Sequence, residues 1–187
     1  LTSLDHDASD VSEMSSPISA DTWVEQGVNP FDPNFIYALQ GGVTTLQVLP
    51  GSGPLVSGRS VVLKTIPATT VAAMKFPGAR QGVKMACGEN PKANFGAKGQ
   101  KPNSRQGEMS LLRENFSDAR AYMHEWHHYE TGDADGQPAV RGGKPGVGKD
   151  GGGKRGRPPK RDRKLDTFAA ILSGDLKVNI HCYRSEE

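Results

Sequence analysis

The chain has 187 residues, which is enough for one domain with a hydrophobic core. Its hydrophobic content of 35% and its mean hydropathy of -0.57 are low for a compact fold, so part of the chain is not expected to enter the core. No apolar run approaches the roughly 18 residues of a membrane-spanning helix, which excludes an integral membrane protein and predicts a soluble chain.

The net charge of +2 is unevenly distributed. Residues 141–164 carry ten Lys or Arg and two Asp, a local charge of +8, so the rest of the chain is mildly acidic. Residues 132–156 contain ten glycines and almost no large apolar side chains. Such a segment cannot bury enough surface to offset the entropy cost of ordering it, and a disordered, basic, Gly-rich insert is therefore predicted over residues 132–161.

The N-terminal residues and the cysteine content indicate where the chain is located and whether it contains disulfides. The chain opens on Leu1 without the basic-then-apolar pattern of a signal peptide, so we expect an internal start and, by default, a cytoplasmic location. Its two cysteines, Cys87 and Cys182, are too few for a disulfide framework and are expected to be buried free thiols.

The first helix signal follows a Ser- and Asp-rich segment, residues 1–20, that is expected to be loop or disordered. Asp32 is a good N-cap and Pro33 suits the first helical position, while the glycine pair at 41–42 ends the pattern. A short helix is therefore predicted over residues 33–40.

Strand signals come next in the chain. β-Branched and apolar runs predict strands over residues 43–49 and 58–64 and a third strand that begins at Lys84, with a short helical piece over 69–74. A Lys-, Gly- and Asn-rich loop is expected between Pro91 and Pro102.

The clearest helical period lies in the second half of the chain. Six apolar residues recur at alternating steps of three and four and predict one buried stripe of a long helix: Met109, Leu112, Phe116, Ala119, Met123 and Trp126. A second amphipathic helix is expected from Leu165 to Leu172, closed by Gly174.

The last predicted element is a strand over residues 176–183. Its alternation places Val178, Ile180 and Cys182 on one face and Asn179, His181 and Tyr183 on the other. Because helix followed by strand recurs along the chain, an α/β fold with a parallel sheet is predicted.

Six short motifs occur in an order that resembles the amidohydrolase superfamily, and within it the imidazolonepropionase-like metal-dependent hydrolases. They are NPFDP (29–33), GGVTT (41–45), VLPGSG (48–53), VVLK (61–64), MACGENP (85–91) and NIHCYR (179–184). The resemblance covers residues 21–131 and 162–187 and divides the chain into a loop (1–20), two barrel parts and the intervening insert (132–161).

The resemblance implies a partial (β/α)8 TIM-barrel-type fold whose strand ends hold one or two divalent metals, usually zinc, and a small-molecule substrate with an amide or cyclic amide bond. It implies that His181, at the end of the fifth barrel strand, is a metal ligand. Glu89 fits the position of a bridging carboxylate, and Lys64 is the alternative for that role as a carbamylated lysine.

Two departures from the family pattern limit what the chain is expected to do alone. The family's first strand carries a His-x-His pair, which is absent from these 187 residues, and its later His and Asp ligands are absent as well. We therefore expect an internal fragment that neither binds a metal pair tightly nor turns over substrate by itself.

Two further motifs offer other functions. His124, Glu125 and His128 match the HExxH pattern of zinc proteases, although no third ligand is apparent after it. Arg155, Gly156, Arg157 and Pro158 match the centre of an AT-hook, in which an extended Arg-Gly-Arg enters the minor groove of A·T-rich DNA. A solvated helix face and a solvated loop are the respective alternatives.

Overall fold

The computed structural model describes residues 10–132 and 157–183. Within these ranges, helices and strands are interspersed along the chain as in an α/β protein, which confirms the predicted class. In chain order the elements are α1 (Pro33–Gln40), β1 (Thr45–Val48), β2 (Val56–Arg59), β3 (Val61–Lys64), α2 (Val71–Met74), β4 (Gly82–Ala86), α3 (Glu89–Gly96), α4 (Arg105–Thr131), α5 (Arg163–Leu172) and β5 (Lys177–His181).

The capping signals place the helices where the sequence predicted them. The Asp32 carboxylate accepts a hydrogen bond from the backbone N–H of Asn34 at 2.9 Å, and Pro33 occupies the first turn of α1. Asp162 caps α5 in the same way, through the N–H groups of Lys164 and Leu165. The helix predicted over residues 33–40 is thus confirmed to the residue.

The strands of the described ranges form two sheets, in which β4 and β5 are the only parallel pair. β1 pairs with β3 antiparallel, while β4 lies between an antiparallel neighbour, β2, and a parallel one, β5. The prediction of a parallel sheet is therefore right for β4 and β5 and wrong for the other two pairs. The physical reason is connection length, since only β4 and β5 are joined by the long helical crossover that a parallel pair requires.

The predicted strand over residues 58–64 is in fact two strands that belong to different sheets. Ser60 lies at the break, where its hydroxyl accepts hydrogen bonds from the N–H of Gly82 and from the side-chain amide of Gln47, each at 2.8 Å. The buried Ser60 hydroxyl thus links the β2–β3 junction to β4 through Gly82 and to β1 through Gln47.

Residues 89–96 form a helix where a loop was expected. Gly88, at a φ of 82°, turns the chain out of β4, and its N–H donates to the buried carboxylate of Glu108 at 2.9 Å. Pro91 was taken to mark a loop, but a proline in the first turn of a helix forfeits no intrahelical hydrogen bond.

The buried face of α4 is displaced from the predicted stripe. Glu108, Ala119 and Tyr122 are buried, whereas Met109 and Met123 are 36% and 37% exposed. Met109 lies about 100° round the helix from Glu108, so a stripe that starts at Met109 runs along the edge of the packed face. The helix itself is confirmed, but two of its six predicted core positions are wrong.

The core consists of two hydrophobic clusters. One lies between the three-stranded sheet and helices α4 and α5, and the other between β1, β3, α1 and α2. The first is formed by Ile18, Ala20, Leu55, Val56, Val83, Met85, Ala119, Phe168 and Leu176, and the second by Val28, Phe35, Val48, Val61, Leu63 and Met74. Ile18 and Ala20 show that the segment predicted to be loop still supplies core residues.

The side chains of β5 alternate between two faces as predicted, but the face that carries its apolar side chains is exposed to solvent. Asn179 and His181 are half-buried, while Val178 and Ile180 are 38% and 60% exposed. None of the helices in the described ranges is both long and apolar enough to cross a membrane.

Cys87 and Cys182 form a disulfide, so the prediction of two free thiols is wrong. The parallel register pairs Ala86 with His181, and each cysteine directly follows one of these residues. The Cα atoms of the two cysteines are consequently 5.0 Å apart, within the range that a disulfide spans.

Thiol titration of the unfolded chain tests this cross-link. Without reductant the chain is expected to show no reactive thiol, and after reduction it should show both cysteines. The Cys87→Ser chain, which leaves Cys182 without its partner, is the positive control for detection. Two reactive thiols in the unreduced wild-type chain would contradict the disulfide.

Phe168→Ala tests the larger core cluster. Phe168 is fully buried and meets the ring of Phe116 edge to face at 5.0 Å, so the truncation is expected to lower the free energy of unfolding by about 3–5 kcal/mol. Phe31, which is 69% exposed, is the matched control, and Phe31→Ala should change stability by only about 0.5 kcal/mol. Urea unfolding measures both, and equal losses would argue against the described core.

Candidate functional site

The candidate site lies at the edge of the sheet where β4 and β5 end. Because the two strands are parallel, their C-terminal ends meet at the same edge, which is where α/β proteins place ligands and reactive groups. Ala86 is opposite His181, and Lys84 lies two residues before Ala86. Lys84 and His181 therefore share one face of the sheet.

The hydroxyl of Ser52 joins these two side chains. Lys84 Nζ donates to Ser52 Oγ at 2.7 Å and to the carbonyl of Met85 at 3.1 Å. His181 Nδ1 lies 3.0 Å from the same Ser52 Oγ. A lysine, a serine and a histidine from three parts of the chain thus form one hydrogen-bonded group.

Burial sets the electrostatics of this group. Lys84 is 8% exposed, and removal from water lowers the pKa of its ammonium below the ordinary value of a lysine. The shift favours the neutral amine, which is a nucleophile. His181, in contrast, is only half-buried, so one face of the group is open to a ligand.

The loop that carries Ser52 is held against the N-terminal segment. The N–H of Gly51 donates to the carbonyl of Val11 at 2.8 Å. A side chain at Gly51 would overlap Val11 and Ser12, so only a glycine permits this close approach. Ser52 therefore reaches the strand ends from a fixed turn.

The surroundings of His181 hold its ring and backbone in place. Its ring lies 4.7 Å from the ring of Tyr183, whose hydroxyl donates to Asn90 at 3.2 Å. Its carbonyl accepts from the N–H of Cys87 at 2.9 Å, which continues the ladder between the strands beyond their paired ends.

Glu89, predicted as a metal ligand, lies in the first turn of α3 and is engaged in ion pairs. Its carboxylate is 3.0 Å from Lys92 Nζ and 2.7 Å from Arg105 Nη2. Lys92 chiefly, and then Arg105, lowers the pKa of the Glu89 carboxyl. Lys64, the predicted alternative, ends β3 opposite Thr45 in the other sheet.

The structure thus brings Lys84, and not Glu89 or Lys64, beside His181. Sequence reasoning missed Lys84 because it looked for ligands at the last residue of each strand, and Lys84 is in the middle of one. The signal that identifies it is the register of β4 against β5, which joins segments far apart in the chain.

A metal was predicted at this site, and the residues present supply only part of the ligand set that a metal ion requires. Across residues 10–132 and 157–183 there is no cluster of three or more His, Cys, Asp or Glu side chains that could hold an ion. His181 offers one imidazole nitrogen, and Lys84 becomes a ligand only after it loses its positive charge. Two convergent groups are therefore available, which is fewer than zinc usually takes from a protein.

The two other motifs lie away from this site. The HExxH residues are in the last turns of α4, where His124 and His128 face each other with 2.9 Å between their Nε2 atoms. Of the AT-hook residues, Arg155 and Gly156 lie outside the described ranges, while Arg157 and Pro158 are exposed shortly before α5. DNA binding by this motif stays a prediction.

The chain is similar to two proteins called amidohydrolases. It is 28% identical over 183 residues to amidohydrolase tasK of Hapsidospora irregularis, in an alignment that covers 93% of this chain and 17% of that protein. Its fold matches the crystal structure of an amidohydrolase from Thermotoga maritima MSB8 with a TM-score of 0.78 and 26% identity, over 98% of this chain and 42% of that one. No protein-family model matches the chain. The chain spans less than half the length of either relative.

Lys84→Met tests the perturbed lysine through the pH dependence of stability. Burial lowers the pKa of Lys84 in the folded chain below its unfolded value, so between those two values the unfolded chain binds more protons. The free energy of unfolding should therefore rise with pH through that window, and this rise should be lost in the Lys84→Met chain.

The measurement is urea unfolding at a series of pH values from neutral to alkaline. Lys64→Met controls for the removal of a lysine from a strand of the other sheet. The same change of slope in both variants would argue against assigning the effect to Lys84.

Proposed function

We propose that the chain, which is similar to two proteins called amidohydrolases, belongs to the amidohydrolase superfamily and carries part of the active site of a metal-dependent hydrolase that cleaves carbon–nitrogen bonds in amides or cyclic amides. The observation that carries this proposal is the convergence of Lys84 and His181 on Ser52 at the C-terminal edge of two parallel strands. A small molecule is the substrate class that the relatives suggest.

The fold that we propose for this function is part of a distorted (β/α)8 barrel. The parallel pair of β4 and β5, with helices α3 to α5 in the crossover, supports it. The exposed apolar side chains of Val178 and Ile180 support it as well, because a barrel strand turns its outer face toward covering helices. β2 and β3 are antiparallel to their neighbours and would lie outside the regular repeat.

In this proposal Lys84 takes the role that the sequence suggested for Lys64 or Glu89. The neutral amine that burial favours attacks carbon dioxide, a C–N bond forms, and one N–H proton leaves to water, so that the lysine becomes a carbamate. This product carries a carboxylate in place of an ammonium, and its oxygens are hard ligands for a divalent metal.

His181 supplies the second ligand of the proposed site. A ring protonated on Nδ1 donates to Ser52 Oγ, and the lone pair of Nε2 then points away from that hydrogen bond. Ser52 acts as a positioning residue in this arrangement, since it orients both the histidine ring and the lysine.

Zinc is the ion that we propose, because imidazole and carboxylate oxygen are both among its usual ligands. When bound, such an ion provides a hydroxide-like water near neutral pH and polarises a carbonyl group. The residues of this chain would bind and orient the ion from one side only, so the chain alone is not expected to turn over substrate.

Lys84→Ala and His181→Ala test the proposed site. Each removes one ligand, so each should weaken zinc binding in the presence of bicarbonate by about tenfold or more. Lys64→Ala removes a lysine from the other sheet and should leave the affinity unchanged. Calorimetric titration with zinc measures all three chains, and unchanged affinity in both Lys84→Ala and His181→Ala would overturn the proposed site.

The carbamate and the reaction have separate readouts. In 13C-labelled bicarbonate the wild-type chain should show a carbamate carbon resonance that is missing from the Lys84→Arg chain. Hydrolysis is measured as zinc-dependent release of amine from N-acyl and cyclic amide substrates by a longer chain that also carries the family's His-x-His pair and its later His and Asp. The release should fall to background when Lys84→Ala is introduced there. Release that is equal in both chains would contradict the proposed function.

A further inference from the structure

A second pair of side chains with metal-binding chemistry lies on α4, away from the candidate site. His124 and His128 are one helical turn apart, and their Nε2 atoms are separated by 2.9 Å. Their ring centroids are 4.1 Å apart, and the ring planes make an angle of 66°. The two Nε2 atoms are therefore close enough to bind one ion together.

These histidines lie on the outer face of α4. Ala119 and Tyr122 are buried on the inner face, and Tyr122 donates to Asp166 of α5 at 2.8 Å. At 100° per residue, His124 and His128 are about 140° and 180° round the helix from Ala119. Both rings are half-buried, so part of each ring is exposed in the described structure.

The distance between the two nitrogens suits coordination of one ion. An imidazole nitrogen lies about 2.0–2.1 Å from zinc, so two such ligands at a right angle are about 2.9 Å apart and at a tetrahedral angle about 3.3 Å apart. The observed separation is 2.9 Å. A proton shared between the rings lies near the line that joins the two nitrogens, whereas a chelated ion lies to one side of that line, so both rings would turn to direct their lone pairs at the ion.

We propose that His124 and His128 form a two-histidine chelate for a borderline divalent transition metal, namely Cu²⁺, Ni²⁺ or Zn²⁺. Two imidazoles match the preference of these ions, with Cu²⁺ bound most tightly, whereas Mg²⁺ and Ca²⁺ require oxygen ligands. The remaining coordination positions are open to water. The site is independent of Lys84 and His181 and of the proposed hydrolase.

This chelate differs from the protease site that the HExxH pattern suggested. Glu125, which would be the general base of a protease, is exposed, and the difference lies in the number of ligands. Within the described residues no third His, Cys, Asp or Glu joins the pair to form a metal cluster. Binding follows from this geometry, and peptide hydrolysis does not.

The test uses the 187-residue chain without a polyhistidine tag and with the His181→Ala substitution, which removes the candidate ligand of the other site. His124→Ala and His128→Ala are added singly in this background. His127→Ala is the matched control, because His127 is exposed, lies on the same helix and is not part of the pair. Alanine favours helix at all three positions, and circular dichroism confirms that α4 persists.

Titration with nickel, zinc and copper chlorides is followed by calorimetry and by the thermal midpoint of unfolding. A metal that binds the folded chain should raise that midpoint. Affinity should fall about tenfold or more in the His124→Ala and His128→Ala chains and stay unchanged in the His127→Ala chain. Magnesium chloride should have no effect in any chain.

Three results would overturn the chelate. They are an affinity unchanged by both His124→Ala and His128→Ala, a loss in the His127→Ala chain as large as in those two, and an equal response to magnesium. None of these results bears on the hydrolase proposal. That proposal concerns Lys84 and His181, and it is tested by comparison with the wild-type chain, which has both residues.

Discussion

The parallel register between β4 and β5 determines where every group of the candidate site lies. With Ala86 opposite His181, Lys84 falls on the same face as the histidine, and the residues that follow, Cys87 and Cys182, come within disulfide distance. A slip of one residue would turn the Lys84 side chain to the other face of the sheet and separate the cysteines. The placement of Lys84 beside His181 and the cross-link are thus two consequences of one hydrogen-bond ladder.

The environments of Lys84 and Glu89 explain why the first, and not the second, suits the proposed chemistry. Glu89 is near the surface, where Lys92 and Arg105 stabilise its anion and hold it on the outside of α3. Lys84 is enclosed in the central strand, and an ammonium removed from water costs several kcal/mol unless it is compensated. Acceptors at Ser52 and Met85 offset part of that cost, and loss of the proton would offset the rest.

Local signals in the sequence were sufficient for α1, α4 and α5, and long-range pairing was not available from them. Asp32 and Pro33 predicted α1 correctly because capping involves only neighbouring residues. The break at Ser60 and the antiparallel pairs depend on hydrogen bonds to distant segments, and no periodicity encodes those. For the same reason His181 could be identified as a strand-end histidine, while its partner Lys84 could not. The disulfide was missed because cysteine count, and not register, guided the expectation.

The two sites on this chain depend on the fold to different degrees. The group around Ser52 needs a loop, β4 and β5 to assemble, so it exists only when the long crossover has brought the two strands together. The pair on α4 needs only one turn of helix, which local hydrogen bonds form. Loss of the sheet would therefore abolish the first site while leaving the second wherever α4 is helical. The hydrolase chemistry that we propose belongs to the site that requires the tertiary structure, because only that site combines a buried amine with an oriented imidazole.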